Sequence, residues 1–277
     1  MGRQLPEIID AHTHLSGRRE DILNLYAQRN GLNYTLDELL RLMQEYGVSR
    51  SLLLSPIVGN RPLPNEDIIG FCEKSHGKLR PIVTVEPRPK RVLAAVRLAE
   101  RRVDFVRGFK VLLGYERVFA DDSVLNPVYD FAESNGLPIM FHTGDTADAN
   151  ASLKHAHPLT LDSLANKRNG LKIVACHFGN PWFDDVAELI YKHENVYADI
   201  SGLTVGGSKY QERYGEWLAN RISKAIYYSA GGDKVIFGTD YPVTTLALTL
   251  SLVDRLEIDP GDRRKILAEN AKGVFNI

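Results

Sequence analysis

Two histidines separated by a single residue stand at the end of an apolar segment near the start of the chain. His12 and His14 belong to DAHTHL (10–15), which follows the apolar run 6–9. Side chains alternate along a strand with a period of two, so both imidazoles are expected to point to the same side. At this spacing, the two rings could bind one metal ion from one side. The pair is therefore a candidate chelating edge.

Eight short apolar segments, rich in Val, Ile and Leu, are predicted to be strands buried on both faces. They are EIIDAH (7–12), RSLLLSP (50–56), RPIVTVEP (80–87), VRGFKVLL (106–113), LPIMFHTG (137–144), LKIVACHFG (171–179), NVYADISG (195–202) and DKVIFGTDYP (233–242).

Helical patterns lie between these strands, at 34–47, 90–102, 126–136, 182–193 and 209–229, and a last helix follows Asp259 and Pro260. Thr35 and Glu38 form a capping box at the start of the first pattern, and Gly47 is its C-terminal cap. Strands alternating with helices predict an α/β fold, a (β/α)8 TIM barrel, in a single domain over residues 1–277. An open doubly wound sheet is the alternative, but no dinucleotide glycine fingerprint follows the first strand.

Composition excludes several other classes of protein. The chain has 277 residues, of which 34 are basic and 35 acidic, so its formal net charge of -1 does not favour nucleic acid or an anionic membrane surface. No apolar stretch approaches the roughly 20 residues of a membrane helix. The N-terminal segment has no secretory h-region, and two cysteines cannot form a disulfide framework. We therefore expect a cytoplasmic protein.

In a TIM barrel, catalytic groups lie at the C-terminal ends of the strands. The predicted strands carry His12 and His14, Lys110, His142, His177, Asp199 and Ser201, and Asp240 near those ends. The three nitrogens of His12, His14 and His142, together with the Asp240 carboxylate and an open position for water, describe a catalytic zinc site. Manganese or iron would also fit such ligands.

The same segments resemble the amidohydrolase superfamily of metal-dependent barrels. DAHTHL, GFK, PIMFHTGD, ACHFG and FGTDYP occur in the family's order over nearly the whole chain, and they are most similar to the branch that mixes hydrolases with non-oxidative decarboxylases. The resemblance implies that His12, His14, His142 and Asp240 are metal ligands. It implies that His177 acts on the substrate in a one-metal site or binds a second metal.

Lys110 leaves the number of metal ions open. A carboxylated lysine at this strand bridges two metals in binuclear members of the family, whereas the alternative is a buried ammonium paired with a carboxylate such as Asp10 or Glu86. The His157-Pro158 pair also resembles this branch, so His157 is a candidate substrate residue. Cys176 has the opposite parity to His177 and is expected to face the helices.

These residues predict hydrolysis of a carbon–oxygen or carbon–nitrogen bond by a metal-activated water. Asp240 would move the proton and His177 would stabilise the oxyanion, on a lactone, ester or amide. The alternative is a non-oxidative decarboxylase, because the same ligands could hold a carboxylate while carbon dioxide leaves. A third hypothesis is a barrel that binds without turnover, against which Asp240 and His177 both argue.

Two arginines on proline-stiffened loops suggest the charge of the substrate. Arg61 and Arg88 follow the second and third strands, and a guanidinium suits a carboxylate, so we expect one of them to bind a carboxylated small molecule. The alternative is that they pair with rim acids such as Glu66 or Glu86. Nucleic acid and membrane partners are not expected. Barrels of this kind frequently dimerise, so a homodimer is a candidate assembly, although the sequence alone does not determine the oligomeric state.

Overall fold

Strands and helices alternate along the chain in the computed structural model, which describes residues 7–204, 211–229 and 231–277. The strands are Ile8–His14 (β1), Val48–Leu54 (β2), Ile57–Val58 (β3), Arg61–Pro62 (β4), Leu79–Pro81 (β5), Val83–Val85 (β6), Phe109–Val111 (β7), Ile139–Phe141 (β8), Ile173–Ala175 (β9), Val196–Asp199 (β10) and Val235–Ile236 (β11).

Helices follow most of the strands. They are Leu23–Arg29 (α1), Leu36–Glu45 (α2), Asn65–Lys74 (α3), Pro89–Arg101 (α4), Asn126–Ser134 (α5), Leu153–Ala156 (α6), Thr160–Lys167 (α7), Phe183–Lys192 (α8), Gln211–Tyr228 (α9), Leu246–Asp254 (α10), Pro260–Arg264 (α11) and Asn270–Phe275 (α12). Short 3₁₀ turns occupy Ser123–Leu125 and Cys176–Gly179, and a π turn at Lys265–Glu269 joins α11 to α12. No helix within the described ranges is long and apolar enough to cross a membrane.

Parallel pairing closes the strands into a ring. Strands β1, β2 and β5 are neighbours in that order, and β6 to β11 are neighbours in sequence order. Ile82 lies between β5 and β6, and its N–H donates to the Leu53 carbonyl at 3.0 Å, so β5 and β6 act as one barrel strand. The Ala11 N–H donates to the Phe237 carbonyl at 3.0 Å and joins β1 to the last strand. The predicted eight-stranded TIM barrel is confirmed.

Each of the eight predicted strands overlaps an observed one, and the predicted start of α2 is also correct. The Thr35 hydroxyl accepts the Glu38 N–H at 3.3 Å, a cap that contributes about 1 kcal/mol. Sequence analysis missed the β3–β4 hairpin, whose two-residue Gly59-Asn60 turn is a recognised hairpin signal. It also missed five of the helices, which are α1, α3, α6, α7 and α10.

Apolar side chains fill the inside of the barrel below the site. Ile9, Leu54, Met140 and Val174 are buried in one cluster with the C-terminal residue Phe275 of α12. Burying a side chain of this size contributes about 1.5–3 kcal/mol. A larger cluster packs the outer faces of the strands against the helices. The barrel is thus a solid scaffold, on which the polar residues lie at the C-terminal strand ends.

Candidate active site

Three potential metal-binding atoms converge at the C-terminal ends of the first and last barrel strands. The Nε2 atom of His14 lies 2.9 Å from Oδ1 of Asp240, and Nε2 of His12 lies 3.5 Å from the same oxygen. His12, His14 and Asp240 each offer one ligand atom within 4.8 Å of the others. Sequence analysis predicted that His12 and His14 point to the same side, and the structure places their ring centroids 5.2 Å apart.

Hydrogen bonds on the far side of each ring fix which nitrogen faces this point. Nδ1 of His14 lies 3.0 Å from the Leu54 carbonyl, and Nδ1 of His12 lies 3.0 Å from Oδ2 of Asp199. A carbonyl or a carboxylate only accepts, so in the neutral rings Nδ1 carries the proton. The lone pair of each ring is therefore on Nε2, facing Asp240.

A cation explains this arrangement. Without one, the lone pair of His14 would face a carboxylate oxygen at 2.9 Å with no proton between them. With metal–nitrogen and metal–oxygen bonds of about 2.0–2.2 Å, neighbouring ligand atoms of a tetrahedral site lie about 3.3 Å apart. The observed separations of 2.9 and 3.5 Å lie on either side of that value. The residues therefore fit a divalent metal ion.

Asp199 and Ser201 support the ligands from behind. Oδ1 of Asp199 accepts the backbone N–H of His177 at 2.8 Å and the hydroxyl of Ser201 at 2.5 Å, while its Oδ2 holds His12. The Ser201 hydroxyl lies 3.0 Å from Nδ1 of both His12 and His177. A carboxylate behind a ligating histidine orients the ring and raises its basicity. Asp199 is thus a positioning residue for His12, in β1, and for His177, which follows β9.

Burial favours the neutral forms of His12, His142 and His177 by lowering their pKa values. It lowers the pKa of His12 to about 3, with the charge of Lys110 acting in the same direction. Burial also lowers the pKa of His177 and, together with the nearby His177, places that of His142 well below its ordinary value. Burial raises the pKa of Asp240, but the His14 hydrogen bond and nearby histidine charges outweigh it, and the pKa falls well below its ordinary value. Neutral imidazoles and an ionised carboxylate are the ligand forms of these groups.

Unusual backbone conformations place two of the functional side chains. His177 has φ 59° and Asp240 has φ 65°, in the left-handed region that non-glycine residues seldom adopt. Each costs about 1–3 kcal/mol, and such strain concentrates at functional sites. Gly202 makes room for both residues, since a Cβ at this position would lie 2.8 Å from Oδ2 of Asp240 and 3.0 Å from Nδ1 of His177.

His142 lies in the same cavity but turns its free nitrogen toward another histidine. Its Nε2 lies 2.9 Å from the Asp145 carbonyl, which only accepts, so this nitrogen is the protonated one in the neutral ring. The Ser201 carbonyl lies 3.2 Å from Nδ1 of His177 and also only accepts, so in that neutral ring Nδ1 carries the proton. The lone pairs of His142 Nδ1 and His177 Nε2 therefore face each other at 3.1 Å. The predicted ligand set is therefore brought together, with three members converging and His142 adjacent through His177. Its role as a ligand stays a prediction.

Lys110 lies on the cavity floor with a different partner from those considered in the sequence analysis. Its side chain is 1% exposed, and Nζ donates to Sγ of Cys176 at 2.9 Å instead of to Asp10 or Glu86. Asp10 instead accepts the Thr239 N–H at 2.9 Å and the His12 N–H at 3.2 Å.

The prediction that Cys176 faces the helices is wrong. Cys176 belongs to the apolar cluster inside the barrel. The alternation of β9 carries it inward after Ala175, and the left-handed backbone of His177 then breaks the alternation. Both Cys176 and His177 therefore face the barrel interior, whereas strict alternation of side chains along the strand predicted that they lie on opposite faces.

A cavity of about 520 Å³ opens above these residues. Its floor contains the histidines, Lys110 and Asp240, and its walls are mainly apolar or aromatic. The wall residues include Ile22, Leu23, Tyr26, Ile57, Tyr115 and Val243. Three acids, Glu20, Asp145 and Asp148, lie around it. This volume suits a small organic molecule.

Three residues predicted to bind substrate do not line this cavity in the described part of the chain. The guanidinium of Arg88 lies 2.9 Å from Glu86 and 3.3 Å from Glu116, an ion pairing close to the alternative left open for this residue. Arg61 lies in the β3–β4 hairpin and is exposed. The ring of His157 packs on Trp182 with centroids 4.6 Å apart. The predicted arginine clamp is therefore not assembled among the described residues, because Arg88 already pairs with rim carboxylates.

Several cavity residues were not singled out from the sequence. They are Glu20, Tyr26, Ser55, Asp145, Asp148 and Asn180. Most lie in loops after strands, where the position along the chain does not indicate which side chains enter the cavity. Ser55 is the exception, because it directly follows the last residue of β2 and could have been identified as a strand-end residue.

We predict that Asp199→Asn weakens metal binding by about 10–100-fold, because an amide replaces the carboxylate that orients His12. Equilibrium titration of the metal-free protein with zinc would measure the change. Asp162→Asn is a matched control, since Asp162 also holds a histidine, His193, at 2.8 Å but lies elsewhere on the barrel. Equal affinity of the Asp199 variant and wild type would contradict the supporting role.

Comparisons with known proteins agree with this geometry. A family model described as amidohydrolase matches residues 9–277. An uncharacterised TIM-barrel protein from Bordetella bronchiseptica is similar in structure, with a TM-score of 0.77, 21% identity and 98% of each chain covered. A probable 2-pyrone-4,6-dicarboxylic acid hydrolase from Acinetobacter baumannii, solved with citric acid bound, has a TM-score of 0.69 and 16% identity, covering 98% of this chain and 99% of that one.

A dihydroxybenzoic acid decarboxylase from Polaromonas sp. JS666, solved with manganese and the inhibitor 2-nitroresorcinol, is also similar. Its TM-score is 0.70 at 16% identity, covering 98% of this chain and 97% of that one. At these identities the likeness of the solved structures concerns the fold.

Proposed function

The chain belongs to the amidohydrolase family and is an enzyme of that family, and on this premise we propose that it hydrolyses a carbon–oxygen or carbon–nitrogen bond of a small molecule. The bond would be that of a lactone, an ester or an amide. One observation carries the proposal: the Nε2 atoms of His12 and His14 and Oδ1 of Asp240 converge on the floor of the 520 Å³ cavity.

A divalent ion bound by these residues, zinc by preference with manganese or iron as alternatives, supplies activation of water and polarisation of a carbonyl. His142 is proposed as a further ligand through Nδ1, whose lone pair faces Nε2 of His177. His177 forms a second candidate group with His12 and Asp199, and Lys110 lines the same cavity, so one or two ions are compatible with the proposal.

Asp240 and His177 have distinct roles in the proposed reaction. A bond forms between the water oxygen and the carbonyl carbon, and the bond to the leaving oxygen or nitrogen breaks. Asp240 takes the proton of the water at Oδ2, the oxygen that faces Gly202, and passes it to the leaving group. Nε2 of His177 lies on the cavity side of the ring, 3.1 Å from Nδ1 of His142, and once protonated it would donate to the carbonyl oxygen and stabilise its developing charge.

Decarboxylation is the second candidate, and the similarity to a dihydroxybenzoic acid decarboxylase favours it. The same cavity would then hold a carboxylate on its floor, with Asp240 handling the proton that replaces carbon dioxide. The carboxylated substrate predicted from Arg61 and Arg88 loses the support of those two residues, which lie outside the cavity walls described above. One carboxylate at the cavity floor remains compatible with either reaction.

We predict that the zinc-loaded enzyme opens a lactone or cleaves an amide, with one carboxylic acid group formed per turnover and no carbon dioxide. The experiment exposes the enzyme to lactones, simple amides and hydroxylated benzoic acids, and follows formation of the acid product by chromatography and carbon dioxide in parallel. Metal-free enzyme is the control for each compound. Release of carbon dioxide from an aromatic acid, with every lactone and amide left intact, would favour the decarboxylase over the hydrolase.

A further inference from the structure

The hydroxyl of Ser55 is buried at the candidate active site without a hydrogen-bond partner. Ser55 lines the cavity, it is 1% exposed, and Oγ has no hydrogen-bond partner among the residues that the structure describes. Buried hydroxyls are nearly always hydrogen-bonded, because leaving one unsatisfied costs about 1–3 kcal/mol. A hydroxyl that lines a cavity can be satisfied by a molecule that enters the cavity, after at most a rotation about the Cα–Cβ bond.

The backbone around Ser55 is held firmly in place. The preceding residue, Leu54, ends β2, and its carbonyl lies 3.0 Å from Nδ1 of His14. The following residue, Pro56, restricts Ser55 to an extended backbone, and its carbonyl accepts the Leu63 N–H at 2.9 Å. The backbone that carries the Ser55 hydroxyl is therefore fixed, and it directly follows Leu54, whose carbonyl orients the candidate metal ligand His14. Such a fixed group loses little entropy when it binds a ligand.

The surroundings of Ser55 define what it would bind. Other parts of the cavity wall are apolar, including Ile22, Leu23, Ile57 and Val243. Three carboxylates, from Glu20, Asp145 and Asp148, also line the cavity and oppose a second negative charge on a ligand. The lysine that lines the cavity, Lys110, lies on its floor beside Cys176. An uncharged hydroxyl or carbonyl oxygen is the group that these surroundings admit.

We propose that Ser55 is a specificity-determining residue, which hydrogen-bonds a hydroxyl or carbonyl oxygen of the substrate away from the reacting bond. The substrate class is a small, mainly apolar ring or chain that carries such an oxygen and no carboxylate outside the metal site. This proposal rests on the proposed function for the identity of the reacting bond. It does not depend on turnover, because recognition by Ser55 is a binding event.

The test uses four probes on the zinc-loaded protein: γ-butyrolactone, its α-hydroxy and β-hydroxy derivatives, and its β-carboxy derivative. Ligand-observed NMR gives dissociation constants for wild type, Ser55→Ala and Ser51→Ala. We expect wild type to bind the better hydroxylactone about fivefold more tightly than γ-butyrolactone, and Ser55→Ala to lose that preference. The carboxylated lactone should bind more weakly than the better hydroxylactone.

Ser51→Ala is the matched control. Ser51 is also fully buried at β2, but its hydroxyl lies 3.0 Å from that of Thr13 and outside the cavity lining. Its variant should keep the preference and melt at a lower temperature, whereas Ser55→Ala should melt no lower than wild type, since the hydroxyl it removes is unpaired.

Two outcomes would overturn the assignment of Ser55. One is a preference for the hydroxylactone that survives in Ser55→Ala, and the other is a loss of melting temperature in Ser55→Ala as large as that in Ser51→Ala. Failure of the proposed function would give a different result: the lactones would bind with the expected preference for the hydroxylactone, but the enzyme would not open them.

Discussion

The double variant His12→Ala with His14→Ala should lose nearly all bound metal, whereas wild type should hold about one equivalent or more of zinc, manganese or iron per chain. The two Nε2 atoms, 3.5 and 2.9 Å from Oδ1 of Asp240, are two of the three converging ligand atoms. Removing both leaves a carboxylate and His142, whose free nitrogen faces His177. Two ligands are too few to hold the ion tightly. Elemental analysis after dialysis measures the loss.

The chain contains its own matched control for this experiment. His155 and His157 repeat the spacing of His12 and His14, as HAH instead of HTH. They do not converge, because Nδ1 of His155 lies 2.7 Å from the Ser152 hydroxyl and His157 packs on Trp182. The double variant His155→Ala with His157→Ala should keep its full metal content. If the control lost metal and the His12 and His14 variant retained it, the proposed ligand set would be wrong.

The barrel was predictable because its strands are buried on both faces. Such strands appear as continuous apolar runs, and all eight predictions overlap an observed strand, although the last was predicted to run to residue 242 and the observed strand ends at Ile236. The orientation of His12 and His14 followed from the alternation of side chains along a strand. The ends of the strands, where regular geometry stops, were the less predictable part. Cys176 and His177 show this. Cys176 faces the barrel interior by alternation, and the positive φ of His177 then breaks the alternation, so that both side chains lie on the interior side.

Contacts between distant residues were beyond the reach of the sequence. Asp199 holds His12 across 187 positions of the chain, and nothing local in either segment indicates which partner each will take. Lys110 was expected to pair with an acid, yet its neighbour on the next but one strand is Cys176. The partners of exposed arginines are even harder to predict from the sequence. Arg88 had several acids within reach, and its pairing with Glu86 and Glu116 depends on loop geometry.

His142 illustrates a limit of a different kind. Its position at the end of β8 was predicted correctly, and it lines the cavity. The identity of its protonated nitrogen follows only from the Asp145 carbonyl, a loop atom three residues further along the chain. A motif therefore locates a ligand residue, whereas hydrogen bonds around the ring decide which atom is offered to the metal.

Asp240→Asn should reduce the rate of turnover by about 10²–10⁴-fold even when metal is in excess, because an amide cannot accept and return a proton. Asp240 is proposed to move the proton in both candidate reactions. Its Oδ1 faces Nε2 of His14, and its Oδ2 and the His177 ring both lie next to Gly202. Asparagine keeps the size of the side chain and one ligand oxygen. A loss of kcat at saturating metal therefore reports proton transfer, separately from weaker metal binding.

Two comparisons make the result specific to Asp240. Asp254→Asn introduces the same change at an exposed acid that pairs with Arg263, and it should leave kcat unchanged. His177→Asn should also abolish most turnover but keep the metal in a one-metal site, because His177 belongs to a separate candidate group with His12 and Asp199 and not to the group of His12, His14 and Asp240. If His177→Asn instead halves the metal content, two ions are bound, and the alternative in which a carboxylated Lys110 bridges them is favoured. Retention of wild-type kcat in Asp240→Asn at saturating metal would exclude Asp240 as the proton carrier, and with it the proposed hydrolytic mechanism.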